Sequence, residues 1–367
     1  MKLRIAVLII IAVYFLGFVS HAWHLQKTVY GDGIFYYSWL RSIVVDTDLH
    51  FANEYARQGV SQPPAADGRP GNKYSIGPAL FWAPAYVGVH RMFRSDGWGL
   101  PYQLATGFTS LGAAIAGLIL LTKLLRGSPA VTSLALLLTA GATNLLFYGS
   151  LDTVNSHALS FFCSVVFLAL LAMPKKNWFA VGAALALLAS VRLQDMVYVL
   201  ALIPVWKKIR PAPLAAGFMV FFIPQLTAWY SLYNSLANPY IAGGESFDLL
   251  HPHILGTLFS PQSGLFLWTP VTAIGIYGLL TGAKTYRILL LIFAMQLYFI
   301  ASWSTWWQGA SVSGRMFVST LPLIAVGLAD VTKRVYTHAL LRSVLPIIVA
   351  AFTVINVMGI FYYLFTN

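Results

Sequence analysis

Long apolar stretches separated by short polar segments run along almost the whole chain. A stretch of about 20 apolar residues is long enough to cross the hydrocarbon core of a bilayer as a helix. The pattern predicts eleven spans, at residues 5–22, 101–122, 130–149, 157–173, 177–191, 195–206, 213–233, 264–283, 286–302, 314–331 and 343–363. We therefore predict an all-α, polytopic membrane protein that forms a single transmembrane domain over residues 1–367.

Two long polar regions interrupt this pattern, at residues 23–100 and 234–263. Within the first region, residues 33–46 are amphipathic, and residues 76–90 form a short apolar segment that contains two prolines. Helices of this kind can lie flat in the headgroup region instead of crossing it. We predict juxtamembrane helices at both places, so that the whole of 23–100 stays on one side of the membrane.

The distribution of charge gives the chain an orientation. Hydrophobic residues make up 58% of the chain and charged residues only 9%, whereas about a quarter of an ordinary soluble chain is charged. If residue 1 is cytoplasmic and 76–90 does not cross, the cytoplasmic side holds fourteen bases and one acid, and the other side nine bases and ten acids. The positive-inside rule favours this arrangement. The net charge of +12 then reflects topology, and because the bases form no continuous stripe it does not indicate a nucleic-acid partner.

The acidic residues collect on the predicted outer side. Four of the eleven acids lie within 23 positions directly after the first span, namely Asp32, Asp46, Asp48 and Glu54. Asp32 is flanked by glycines and precedes the amphipathic segment 33–46. An aspartate in that place is either a helix N-cap or a functional group held near the membrane surface. Both interpretations stay open on spacing alone, and the acids together favour a functional outer surface over merely polar loops.

Further candidates lie at the predicted outer ends of spans. They are Asp152 and His157 in "GSLDTVNSHALS", Arg192 and Asp195 in "SVRLQDM", Glu245 and the pair His251 and His253 in "GESFDLLHPH", and Trp306 and Arg315 in "WSTWWQGASVSGR".

Each of these candidates has a second interpretation. Arg192 and Asp195 either line a polar cavity or form a structural ion pair with each other. The His-x-His pair is only a weak indication of a metal site, because no third ligand is evident. Trp306 suits either an aromatic belt at the membrane interface or stacking against a sugar. Arg315 opens a span, where a guanidinium is costly without an anion.

Common nucleotide and hydrolase motifs are missing from the sequence. It contains no GxGxxG after a strand, no Walker loop, no HExxH and no GxSxG. An enzyme built on this chain would therefore need an activated substrate delivered within the lipid.

Three stretches of the first outer region resemble the GT-C glycosyltransferases, which use polyprenyl-phosphate-linked sugars. "GDGIFYYSWLRS" is similar to the acidic motif and aromatic amphipathic helix of aminoarabinose-transferase-like and protein-mannosyltransferase-like members. "DTDLHF" matches the acidic turn that follows, and "NKYSIGPALFW" matches the element that leads into a second juxtamembrane helix, with Lys73 in its basic position. Gly33 departs from the pattern, because many members have Glu there.

The resemblance implies a site and a reaction. Asp32 would be the general base of an inverting transfer, and Lys73, Arg192 and Arg315 would bind the phosphate of the lipid donor. Sugar or acceptor would contact a further set of residues, namely Tyr37, Asp48, Asp152, His157, Glu245 and Trp306. The loop 234–263 would close over the site with Gly243 and Gly244 as its hinge.

The resemblance also implies the surroundings of the reaction. No cofactor is expected, with a divalent metal as a minor alternative. The partners would be the bilayer, a polyprenyl-phosphate-linked sugar and a glycan, lipid or protein acceptor, and the protein would be a multi-pass inner-membrane protein with its site on the extracytoplasmic side. A transporter or flippase of lipid-linked glycans and a polysaccharide polymerase or ligase are the alternative functions, while the sugar and the acceptor stay open.

Overall fold

A computed structural model describes residues 2–237, 239–242 and 244–366. Helices account for 73% of the chain, and the described part contains no β-strand. The α-helices, numbered in chain order, are α1 (Leu3–Leu25), α2 (Gly33–Arg41), α3 (Ala52–Gln58), α4 (Gly77–Phe93), α5 (Leu100–Leu121), α6 (Pro129–Gly141), α7 (His157–Ala172), α8 (Trp178–Val191), α9 (Pro211–Tyr233), α10 (Pro239–Ala242), α11 (Ile254–Phe259), α12 (Leu265–Trp268), α13 (Val271–Thr281), α14 (Arg287–Ser302), α15 (Leu321–Tyr336) and α16 (Ala339–Thr366). The predicted all-α class is therefore confirmed.

Other helical geometries occupy shorter parts of the chain. They comprise the π-helical segments Ser42–Asp46 and Phe147–Leu151 and the 3₁₀ segments Leu193–Lys208, Lys284–Tyr286 and Arg315–Thr320.

Six helical stretches in the described residues are long and apolar enough to cross a membrane. They are Leu3–Leu25, Leu100–Leu121, Pro211–Tyr233, Lys284–Ser302, Arg315–Tyr336 and Ala339–Thr366. The protein is thus a multi-pass membrane protein. Helices α6, α7, α8 and α13 are apolar but shorter, so the predicted number of about eleven spans stays a prediction.

The predicted span 195–206 is a 3₁₀ segment, Leu193–Lys208, and not an α-helix. A 3₁₀ helix rises about 2 Å per residue, so its 16 residues extend about 32 Å. That length is comparable to the roughly 30 Å thickness of a hydrocarbon core. Because the rise per residue is larger than in an α-helix, this segment spans the same distance with fewer residues.

Helices also form at both places where juxtamembrane helices were predicted. Residues 33–46 become α2 and the π-helical turn Ser42–Asp46, and residues 76–90 lie within α4. Helix α4 packs against α2, α5 and α8. The position of these helices relative to the membrane stays a prediction.

Two glycines allow close contact between α8 and α9. A Cβ on Gly182 of α8 would lie 2.0 Å from the Leu214 carbonyl oxygen of α9, and a Cβ on Gly217 of α9 would lie 2.0 Å from that of Phe179. The two backbones therefore touch, and any side chain there would force them apart. This packing holds α8, the helix that ends at Arg192, against α9.

Candidate active site

A cavity of about 700 Å³ lies where α2, the 3₁₀ segment Leu193–Lys208, α14 and the loop 303–316 meet. Its charged lining residues are Asp32, Lys73, Arg192, Glu245 and Arg315. All five were predicted site residues from widely separated parts of the sequence, and the fold brings them to one cavity.

The cavity has one polar end and one apolar wall. The 3₁₀ segment and α14 supply the apolar side chains, which are Met196, Val199, Leu200, Met295, Phe299 and Ile300. Arg192 precedes the first of these elements, and Trp303 follows the second. The charged groups therefore lie at the end of a wall that belongs to a candidate membrane span, Lys284–Ser302.

Two glycines place Asp32 at the polar end. Gly31 has a backbone φ of +51°, which lets the chain turn sharply before α2. A Cβ on Gly33 would lie 2.1 Å from the carbonyl oxygen of Val154. The absence of a side chain thus lets α2 rest on the loop before α7, and a glutamate at this position would have to push that loop away.

The side chain of Asp32 faces the cavity and does not cap helix α2. It precedes α2, but among the described residues its side chain makes no capping hydrogen bond. One carboxylate oxygen lies 2.8 Å from Nη1 of Arg315, and the other accepts a 2.8 Å hydrogen bond from the Tyr74 hydroxyl. The N-cap interpretation is therefore wrong for this residue, and its carboxylate is held ready in the cavity by one cation and one phenol.

Lys73 and Glu245 form a second ion pair on the cavity wall. Lys73 Nζ lies 2.5 Å from one Glu245 oxygen, and Trp303 Nε1 donates a 2.6 Å hydrogen bond to the other. The ammonium also lies 5.1 Å from the ring centre of Tyr240, within cation–π range. Glu245 therefore joins the second polar region to the first one.

Arg192 has hydrogen bonds but, within the described part of the chain, no ion pair. Its Nη1 donates to Ser156 Oγ at 2.9 Å, and its Nε is buried without a partner among those residues. Asp195 is fully buried elsewhere, where it accepts from Ser160, Ser319 and Gln296. Arg192 and Asp195 therefore do not form a contact ion pair, and Arg192 lines the cavity with no carboxylate in contact among the described residues.

Asp152 and His157 lie behind this layer. The His157 ring packs against the Tyr148 ring in a tilted arrangement with centroids 4.5 Å apart, and its Nδ1 lies 3.4 Å from Nη1 of Arg192. Asp152 follows the π-helical turn Phe147–Leu151, and burial raises the pKa of its carboxyl to about 7. His157 therefore contacts Arg192, while neither His157 nor Asp152 lines the cavity.

Three predicted contact residues lie away from the cavity. Tyr37 is fully buried and donates a 2.5 Å hydrogen bond to the Gly97 carbonyl oxygen. Asp48 accepts from Ser42 Oγ and the backbone N–H of His50, so it stabilises a turn. Trp306 stacks on His253 at 4.9 Å. The structure does not bring these three side chains to the other candidates.

Several residues of the cavity escaped prediction, namely Tyr36, Tyr74, Gln194, Trp303 and Gln308. Tyr36, Tyr74 and Trp303 are close in sequence to residues that were chosen, so aromatic neighbours of the candidates were the available signal. The two glutamines carry no sequence signal, because neutral polar residues are common in loops and helix ends.

The sequence also predicted closure of the loop 234–263 and gave a weak indication of a metal site. No group of three or more His, Cys, Asp or Glu side chains comes together in the residues described. His251 is exposed and pairs with Asp248. Of the proposed hinge, Gly243 lies outside the described residues, and Gly244 has a φ of +89°.

No protein-family model and no curated protein matches the chain. Solved structures do match it. The apo structure of ArnT from Cupriavidus metallidurans superposes with a TM-score of 0.56 at 13% identity, and ArnT bound to undecaprenyl phosphate superposes with a TM-score of 0.54 at 14% identity. The chain has the fold of ArnT, a GT-C aminoarabinose transferase. Each superposition covers 90% of this chain and 59% of the ArnT chain, and the GT-C resemblance of the sequence is confirmed at the level of the fold.

Proposed function

We propose that this protein is an inverting membrane glycosyltransferase that moves a sugar from a polyprenyl-phosphate donor to an acceptor hydroxyl. The observation that carries the proposal is the placement of Asp32 beside Arg315 and near Arg192, at the polar end of a cavity with an apolar wall. The likeness to ArnT, one structure of which holds undecaprenyl phosphate, supports the same conclusion.

The polar end suits a phosphate group. Arg192 and Arg315 both line it, and among the described residues the Nε atom of each is buried without a hydrogen-bond partner. A buried donor that lacks an acceptor is unfavourable, and guanidinium groups bind phosphate oxygens through paired N–H donors. An anion at this end would satisfy both arginines at once.

The apolar wall suits an isoprenoid chain. It lies on the 3₁₀ segment Leu193–Lys208 and on α14, next to the charged residues, and α14 belongs to a candidate span. Burial of apolar surface is worth about 25 cal/mol per Å², so an amphiphile with a phosphate head and a hydrocarbon tail matches both parts of the cavity.

Asp32 is the group placed to accept a proton. In the proposed reaction the acceptor hydroxyl oxygen attacks the anomeric carbon of the sugar while the bond from that carbon to the phosphate oxygen breaks. The hydroxyl proton passes to Asp32, and the polyprenyl phosphate leaves with the electron pair, its growing charge stabilised by Arg192 and Arg315. Attack from the face opposite the leaving group inverts the anomeric configuration.

The ion pair between Asp32 and Arg315 describes the site before the donor binds. As long as Arg315 holds Asp32, the arginine is less available to phosphate and the carboxylate is a weaker base. Donor phosphate competes for Arg315 and thereby releases Asp32. Glu245, which already pairs with Lys73 at 2.5 Å, then contacts the sugar or the acceptor.

We propose that the cavity opens on the extracytoplasmic side, as the charge distribution predicts. The test is labelling of single cysteines introduced at positions 60, 95 and 97 by a membrane-impermeant reagent, in a variant that lacks Cys163. Labelling of all three positions in intact cells is expected. Labelling at 60 with protection at 95 and 97 would mean that residues 76–90 cross the membrane.

The proposed reaction is tested with purified protein in lipid nanodiscs. We expect the protein to bind undecaprenyl phosphate, and we expect lipid extracts of cells lacking the protein to miss one glycan species. A flippase would instead leave the glycan chemically unchanged and alter only its side of the membrane. Absence of binding together with unchanged glycans would overturn the proposal.

A further inference from the structure

The loop between Trp307 and Arg315 has an unusual backbone. In the described part of the chain, six residues other than glycine have a positive φ. Four of them, Gln26, Thr47, Arg94 and Asn234, end a helix, where the left-handed conformation is ordinary. The other two, Gln308 (φ +64°) and Ser313 (φ +55°), lie in this loop and cap no described helix. Strain of this kind concentrates at functional sites.

The strained conformation buries the side chain of Gln308 in the cavity wall. Gln308 is 2% exposed and lines the cavity. Its Oε1 accepts a 2.8 Å hydrogen bond from the backbone N–H of Met316. Because that N–H needs an acceptor, the amide is oriented with its oxygen towards Met316. Nε2 then remains, buried and without a partner among the described residues.

Gln308 has two cationic neighbours with the same deficiency. Arg192 and Arg315 line the same cavity, and the Nε of each also lacks a partner within the described residues. The loop brings the backbone next to Gln308 close to Arg315, since a Cβ on Gly309 would lie 3.4 Å from Arg315 Nη2. Three residues that line one cavity thus each have a buried, unpaired donor. A phosphate group offers several acceptor oxygens and no donor, whereas a sugar hydroxyl must also donate.

We propose that Gln308 Nε2 donates a hydrogen bond to a phosphate oxygen of the lipid donor, beside Arg315. This inference rests on the proposed function and adds a neutral donor to its phosphate site. The backbone N–H of Met316 holds the amide in the orientation required, so the donor is in place before the lipid arrives.

The test compares two substitutions with a matched control. Gln308→Glu keeps the shape and the acceptor for Met316 N–H but replaces the donor with a carboxylate oxygen. Gln308→Met removes the donor without adding charge. Gln225→Glu is the control, because Gln225 is also buried, accepts from the Ile76 N–H through Oε1 and has an unpartnered Nε2, but lies outside the cavity wall.

Binding of undecaprenyl phosphate to the protein in nanodiscs is measured for each variant. Thermal unfolding of the same samples is the control for folding. We expect Gln308→Glu to weaken binding at least tenfold, Gln308→Met to weaken it several-fold, and folded Gln225→Glu to bind like the wild type. Inorganic phosphate is added as a competitor, and weak competition is expected because it lacks the tail.

The outcomes distinguish failure of the proposed function from failure of the inference about Gln308. If the wild type does not bind the lipid, the proposed function fails. If the wild type binds and Gln308→Met binds equally well, Gln308 is not a phosphate ligand, even if Gln308→Glu does not fold. Equal loss of binding in folded Gln225→Glu would also overturn the inference, because the effect would then not depend on the cavity.

Discussion

Replacement of Asp32 by asparagine separates the proposed base from a structural residue. Asp32→Asn removes the charge but keeps an oxygen that can accept from the Tyr74 hydroxyl. Since Asp32 makes no described capping bond to α2, the helix loses no cap. The stability change comes from the ion pair with Arg315, whose partner side chains are 32% and 21% exposed for Asp32 and Arg315. A partly exposed pair contributes about 1 kcal/mol.

The same substitution has opposite effects on binding and turnover. Loss of a general base lowers the transfer rate by about 10² to 10⁴-fold. Release of Arg315 from its carboxylate should strengthen binding of the donor phosphate, and about 1 kcal/mol corresponds to roughly fivefold. Asp32→Asn should therefore be a nearly inactive protein that binds undecaprenyl phosphate somewhat more tightly than the wild type.

The assay measures transfer and lipid binding on the same nanodisc preparation, with thermal unfolding as the control for folding. Retention of more than a tenth of the wild-type rate would show that Asp32 is not the base. Weaker lipid binding by a folded variant would refute the competition between Asp32 and the donor phosphate for Arg315.

Three further predictions concern neighbouring residues. Arg315→Ala should lose both lipid affinity and rate, and Arg315→Lys should keep part of each, because lysine offers phosphate only a point charge; unchanged lipid binding in Arg315→Ala would assign the residue to the protein's own structure. Because burial raises the pKa of Asp152 from its usual value near 4 to about 7, the unfolded state binds fewer protons between these values, so the carboxyl destabilises the fold as pH rises through this window. The unfolding temperature of the wild type should fall relative to Asp152→Asn between pH 5 and pH 8, and parallel curves would contradict this. Gly33→Ala should destabilise the protein by about 1–3 kcal/mol, since its Cβ would meet the Val154 carbonyl oxygen. Gly88→Ala, inside α4 with open space around it, should instead stabilise the protein by up to about 1 kcal/mol in the same denaturation assay.

Much of the site could be read from charge in an apolar chain. Burying an ion in a membrane protein is costly, so the few charged residues near predicted outer helix ends had to face one another, water or a ligand. Asp32, Arg192, Glu245 and Arg315 were found in this way, whereas Lys73 came from the resemblance to GT-C glycosyltransferases. All five line the cavity.

The hydrogen-bond and ion-pair partners of these side chains, and the rotation of each helix about its axis, could not be read from the sequence in the same way. Arg192 and Asp195 are three residues apart, and their spacing suits a helical ion pair. The fold instead surrounds Asp195 with Ser160, Ser319 and Gln296, which come from segments distant in sequence. A hydrogen-bond network assembled from such segments leaves no local pattern.

The choice of Tyr37 over Tyr36 failed for a related reason. Residues 33–40 are all buried, so α2 has no solvent-exposed polar face that would reveal its rotation. Neighbouring helical residues point about 100° apart, which places Tyr36 on the cavity and Tyr37 against Gly97.

The sequence by itself determined the membrane class, the all-α fold and four of the five charged residues that line the cavity, because each follows from the cost of polar groups in hydrocarbon. Only the tertiary structure decided which of these groups pair, that Asp32 turns from its helix to Arg315, and that Gln308 joins them. Those choices depend on backbone contacts such as Gly33 against Val154 and on the left-handed turn at Gln308. Contacts between residues over a hundred positions apart are set by packing, which no local pattern of hydrophobicity or charge encodes.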